Sequence, residues 1–276
     1  MSDYVKPAET VEYMVESAVT KATLAPIDLL VRGALAGALL GFVTSLAFLV
    51  SAQTGEFIVG ALLFPAGFVL IILLGLELLT GNFGIMPTGW FAGRITFGQM
   101  VASWCWVFVG NLAGSLLYAV LFWVVATEMG HTTGGVIGDQ FRALAASKTT
   151  AHEAYGASGL VTVFVKAVLC NWMVSLGSVM GLASRSTTGK TISAWLPILI
   201  FVEQGFEHSV VNMFAIPLGM MFGAHVTLAD WWLWNEIPVT LGNMVGAFVF
   251  TGGALYFTFG GRRPSSRQAA ETPLRG

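Results

Sequence analysis

The chain has 276 residues, of which 55 % are hydrophobic and only 10 % charged, with a mean hydropathy of +0.76. A water-soluble domain carries roughly a quarter of its residues as charges, so the composition points to a bilayer as the solvent. The net charge of −2 comes without a basic stripe, and no nucleic-acid partner is expected.

Residues 7–25 place Val11, Met14, Val15, Ala18, Val19 and Ala22 at helical spacing among Glu9, Glu12 and Glu16. This pattern predicts an amphipathic helix lying on the membrane surface or against a neighbour. Residues 1–27 form that N-terminal unit, and their acidic start is unlike a secretory signal. Six stretches then suit membrane crossing, which takes about 20 residues of helix. They are Leu29–Val50, Ile58–Leu79 continuing to Phe91, Val101–Val125, Leu160–Ala183, Ile192–Phe206 continuing to Phe222, and Trp231–Phe259.

The second and fifth stretches are interrupted by polar knots. One reads Glu77-Leu-Leu-Thr80-Gly81-Asn82, the other Glu207-His208-Ser209-Val-Val-Asn212. Between the halves, the loop 127–157 is the longest, and Ile137, Phe141, Leu144 and Ala145 predict a short surface helix there. Cys105 and Cys170 sit inside apolar runs and read as small hydrophobes. No metal site, disulfide or cofactor is expected. The tail 261–276 is polar and is expected to be disordered.

Six spans put both termini on one side, together with Lys6, Lys21, Arg32, Arg94, Arg185, Lys190, Arg262, Arg263, Arg267 and Arg275. The other side has Arg142 and Lys148, and Lys166 lies within a span. Basic residues accumulate on the cytoplasmic side, so both termini are expected there, in a plasma (inner) membrane.

A pattern recurs between the halves. Glu77-x4-Asn82 followed by Gly110-Asn111-x2-Gly114 is matched by Glu207-x4-Asn212 followed by Gly242-Asn243-x2-Gly246. Three crossings per half invert the second copy, so the pore domain 28–260 is read as two inverted repeats, 28–126 and 160–260. Broken backbone in hydrocarbon must line a cavity or be buried in protein. The interruptions at Thr80-Gly81-Asn82 and His208–Asn212 are therefore the expected path, with helix N-termini turned toward an anion.

At these residues the sequence resembles the formate/nitrite transporter family. The resemblance rests on Leu79-Thr80-Gly81-Asn82, Leu169-Cys170-Asn171-Trp172, Gly205-Phe206-Glu207-His208-Ser209-Val-Val-Asn212-Met213 and Ile237-Pro238-Val-Thr240-Leu-Gly242-Asn243, and covers roughly residues 7–260. It implies an all-α, aquaporin-like pore of six spans, a homopentamer, and passage of a small monovalent anion such as formate or nitrite. Hydrosulfide, lactate and acetate are alternatives on the same fold. Val211 departs from the smaller Ala of many members, which bears on the substrate rather than the fold.

By resemblance, His208 is the central pore histidine, Thr80 the pore threonine, and Phe64, Phe68 and Phe201 the apolar constrictions. Histidine titrates near neutral pH and suits proton exchange with a weak acid. Glu77 and Glu207 read either as proton relays or as acceptors for the broken helices, pairing with Lys166. Lys166 is either that partner or a vestibule cation drawing anions inward. Asn171, Asn212 and Asn243 either orient His208 and the substrate or bond spans together. Gly33, Gly37 and Gly41 read as a helix-packing stripe.

Two other classes are weighed. A water channel would carry paired Asn-Pro-Ala motifs, and no Asn-Pro pair exists here. An intramembrane enzyme using Glu207 and His208 would need a nucleophile or metal constellation that Ser209 and two isolated cysteines do not make, so no enzyme is expected.

Overall fold

The computed structural model describes residues 3–260, and the expected tail lies outside them. The amphipathic helix α1 (Pro7–Ala22) precedes the long helix α2 (Pro26–Thr54), which starts at a proline and ends at Gly55 in the left-handed region. Two short pieces follow, α3 (Phe57–Leu63) and α4 (Pro65–Leu73), then α5 (Leu79–Phe91). Helix α6 (Phe97–Ala126) opens on a Thr96/Gln99 capping box. The second half repeats the plan with α7 (Gly135–Lys148), the short α8 (Thr150–Glu153), α9 (Ala157–Leu182), α10 (Thr187–Glu203) and α11 (Ser209–Met221). It closes with α12 (Leu228–Trp231) and α13 (Ile237–Ala247), joined by the π-helical turns Trp232–Glu236 and, beyond α13, Phe248–Gly253 and Tyr256–Gly260.

Among the described residues, four helices are long and apolar enough to cross a membrane: α2, α6, α9 and the helix from Leu228 to Gly260. The other two segments are broken, as the sequence indicates, but the breaks fall earlier than expected. Just beyond the last turns of α4 and α10, Gly75 (φ +64°) and Gly205 (φ +63°) stop the helix. In both, the glycine N–H and the next N–H turn back onto the helix: Gly75 to Ile72 and Leu76 to Ile71, Gly205 to Val202 and Phe206 to Phe201. Glycine tolerates the left-handed conformation this helix stop requires. The unwound backbone is therefore the stretch leading up to Leu78 and His208. Thr80, Gly81 and Asn82 sit in the first turn of α5, and Ser209 to Asn212 in that of α11.

The repeated Gly-Asn-x2-Gly pattern has a packing cause. A Cβ on Gly114 would run into the Ala34 carbonyl of α2, and one on Gly246 into the Val168 carbonyl of α9. Close approach through small residues is how apolar helices associate where lipid removes the hydrophobic drive. Outside the bundle, α1 packs on α5 at Ala18 against Gly89 while Met14 meets Val179 of α9, and α7 packs on α11 through Phe141 and Ala145 against Gly219. The helix expected in the interhalf loop is thus the counterpart of α1. The segment before α1 is tied to the α9–α10 turn by Val5 N–H to the Ala183 carbonyl and Arg185 N–H to the Asp3 carbonyl.

Candidate functional site

Each break is held by one asparagine from the last helix of its half. Asn111 accepts the Leu79 N–H (2.9 Å) and donates to the carbonyls of Gly33 (2.8 Å) and Glu77 (2.9 Å). Asn243 accepts the Ser209 N–H (2.9 Å) and donates to the carbonyls of Ala167 (2.8 Å) and Glu207 (2.9 Å). Both asparagines are fully buried. They provide the partners that unwound backbone needs away from water.

Each break also places a glutamate beside a lysine from the neighbouring amphipathic helix. Lys21 at the end of α1 donates to both oxygens of Glu77 (2.9 and 2.8 Å), and Asn82 adds a third bond at 2.7 Å. Lys148 at the end of α7 donates to Glu207 Oε2 at 2.8 Å, joined by Asn212 (2.8 Å) and Asn235 (3.2 Å). These pairings take the place of the one weighed for Lys166, which has no carboxylate partner among the described residues. Lys21 and Lys148 served only as topology markers in the sequence. A lysine ending the amphipathic helix before each half was the available signal, and only the fold shows that each helix folds back over its break. Asn235 was missed because a π turn, which local sequence does not announce, aims its side chain inward.

Two cavities enter from opposite faces. The α1 cavity, about 260 Å³, is bounded by Lys21, Arg32, Phe68, Glu77, Leu78 and Asn82. The α7 cavity, about 280 Å³, is bounded by Phe64, Lys148, His152, Lys166, Phe201 and His208, with Glu207 and Asn212 also on its wall. Thr80 lies between them, its Oγ1 3.0 Å from His208 Nε2. Phe201 stacks on the His208 ring (centroids 5.6 Å apart), and Phe64 meets Phe201 edge-on at 5.9 Å.

His208 is also the N-cap of α11. Its Nδ1 accepts the Val211 N–H at 3.2 Å. An acceptor Nδ1 selects the tautomer with hydrogen on Nε2, which then points at the Thr80 hydroxyl. The N-termini of α5 and α11 both end at this point, so the positive ends of two helix dipoles converge on it.

Asn171 and Asn243 are outside both cavity walls. Asn171 donates to the Thr80 carbonyl (3.0 Å) and the Asn243 carbonyl (2.8 Å), tying the two breaks together. Of the residues singled out in the sequence, the structure therefore gathers His208, Thr80, Phe64, Phe201, Lys166, Glu207 and Asn212 at or above the junction. Glu77 and Phe68 lie below it.

Comparison with known proteins agrees with this architecture. A probable formate transporter of Methanothermobacter thermautotrophicus is 34 % identical over 94 % of this chain and 98 % of its own length. The formate channel FocA of Escherichia coli (strain K12) is 30 % identical over 91 % of this chain and 93 % of its own. A solved FNT family ion channel superposes with a TM-score of 0.79 at 30 % identity, covering 90 % of this chain and 98 % of that one. A pentameric formate channel with formate bound gives 0.69 at 26 % identity, over 85 % and 98 %. The family model described as formate/nitrite transporter matches residues 8–257. The chain belongs to the formate/nitrite transporter family and is an integral membrane protein of transport rather than an enzyme.

Proposed function

We propose that the chain, as a homopentamer with one path per subunit, passes a small monovalent anion of a weak acid, formate or nitrite, across the plasma membrane. The α7 cavity faces outward and both termini face the cytoplasm, in keeping with the distribution of basic residues. The observation that carries the reading is the 3.0 Å contact between His208 and Thr80, set between two cavities, with Phe64 and Phe201 on the α7 side and Phe68 on the α1 side.

A bare anion entering this apolar neck loses hydration worth several kcal/mol. The neutral acid does not. Lys166 and the helix dipoles gather the anion in the α7 cavity. The His208 Nε2–H and the Thr80 hydroxyl hold it at the neck, where it takes up a proton. An imidazolium would set a second N–H against that of Val211, so the geometry favours vestibule water, polarised at this pair, as the proton source. The acid crosses and releases its proton in the α1 cavity, making one proton move with each anion. Glu77 and Glu207, each neutralised by a lysine, hold the path open without presenting a net negative charge.

The test is flux into proteoliposomes across a panel of formate, nitrite, hydrosulfide, lactate and acetate. Formate or nitrite uptake is expected to rise with outside acidity, and His208→Phe to abolish that rise. A pH dependence that survives His208→Phe unchanged removes the histidine from the mechanism.

A further inference from the structure

Each cavity holds one cation beyond its lysine–glutamate pair: Arg32 of α2 on the α1 side and Lys166 of α9 on the α7 side. Neither has a carboxylate partner among the described residues. The α7 cavity has in addition His152, carried by α8. The α1 side has no such group at the matching connection, where Leu24 lines the wall instead. His152 is fixed against α9 by a close backbone approach, since a Cβ on Gly159 would run into the His152 carbonyl. Lys166 lies about two turns further along that helix.

The groups around His152 are few. Lys148 from α7, Lys166 from α9 and Glu207 from the break act on it electrostatically. Glu153 is its neighbour on α8. Glu236, on the π turn that packs against α8, is turned to Trp231 and Thr240. Asp139 and Arg142 of α7 pair with each other. Lys148 and Glu207 cancel, which leaves Lys166 as a standing positive charge and His152 as a conditional one.

We infer that His152 and Lys166 form a second anion subsite in the α7 cavity, which takes a small monovalent carboxylate or oxyanion before it reaches His208. The inference rests on the transport reading above. Burial pushes the His152 imidazole below its ordinary value, the two lysines push the same way, and Glu207 opposes them. The empty subsite therefore carries only the lysine charge at neutral pH. A bound anion makes protonation of His152 easier, and by reciprocity protonation tightens the anion. Acid thus acts twice: through His152 on the concentration needed to fill the path, and through His208 on the rate of crossing.

Formate influx into proteoliposomes containing the full-length protein separates the two, measured against concentration at outside pH from about 5 to 7. Wild-type half-saturation is expected to fall about three- to tenfold toward acid, the size of one added charge nearby in a wet vestibule. His152→Gln should flatten that fall, and His152→Lys should hold half-saturation low throughout. Lys166→Gln should raise it at every pH. If His152→Gln does not assemble, the permanent charge of His152→Lys carries the same test. Half-saturation that shifts with pH in the two His152 variants as it does in the wild type overturns the subsite. Absence of formate flux in the wild type instead overturns the transport reading.

Discussion

At the break before α5 the residue capping the half-helix is Leu78, and at the break before α11 it is His208. Two residues on, the first half has Thr80 and the second Val210. Around these four positions the halves match part for part. Gly75 and Gly205 stop the preceding helix, Asn111 and Asn243 bind the loosened backbone, and Lys21–Glu77 and Lys148–Glu207 close each side. The comparison separates scaffold from chemistry. What is needed to break a helix inside an apolar bundle occurs twice, and the polar pair at the junction is divided, the imidazole from one half meeting the hydroxyl from the other.

The comparison can be broken first at the asparagines. Asn111→Leu and Asn243→Leu each leave one N–H and the carbonyl of the break, Glu77 or Glu207, without partners, at about 1–3 kcal/mol apiece, while the Gly33 and Ala167 carbonyls keep the bonds of their own helices. Both variants are expected to lose several kcal/mol and to fail thermal-unfolding assays in detergent to the same degree. Tolerance of one but not the other would show that the halves are not mechanically equivalent.

Next come the carboxylates. Glu77→Gln and Glu207→Gln each leave a largely buried lysine uncompensated, an effect of about 3–5 kcal/mol for fully buried pairs. The lysine side chains retain 16 % and 14 % exposure, which places the expected loss at the lower end. Replacing both partners by apolar residues should recover most of the lost melting temperature.

A smaller and asymmetric effect is expected at the chemical positions. Thr80→Val deletes the bond to His208, worth about 1 kcal/mol, and should slow formate flux about fivefold with folding intact. Val210→Thr, at the matching position, should leave flux unchanged. Equal effects from the two would deny Thr80 its role.

Smallest of all is the exposed pair that ties α1 down. Tyr13, and then Arg185, hold the Glu9 carboxyl below its ordinary value. The sign follows: this contribution is present above the ordinary carboxylate range and is lost as pH falls through the lowered value. Because the groups are solvent-exposed, Glu9→Gln should not measurably move the melting temperature at neutral pH.

Much of this architecture is legible in the sequence. Long apolar runs determine helices because a bilayer leaves the backbone no other partner than itself. The doubled Glu-x4-Asn and Gly-Asn-x2-Gly patterns located the breaks to within a turn, since glycine at a crossing and asparagine at an unwound strand answer local steric and hydrogen-bonding needs. What sequence could not supply were contacts between residues far apart in the chain: Lys21 with Glu77, Lys148 with Glu207, Thr80 with His208. The sequence leaves Lys166 as either a partner for a buried glutamate or a vestibule cation, because its neighbours in space are not its neighbours in the chain. The fold instead brought in cations from helices that lie outside the bundle and fold back over each break. Hydropathy and periodicity report where each segment finds its solvent. Which charges meet is decided by how α1 and α7 lie across the ends of the pore, and that depends on packing distributed over the whole molecule.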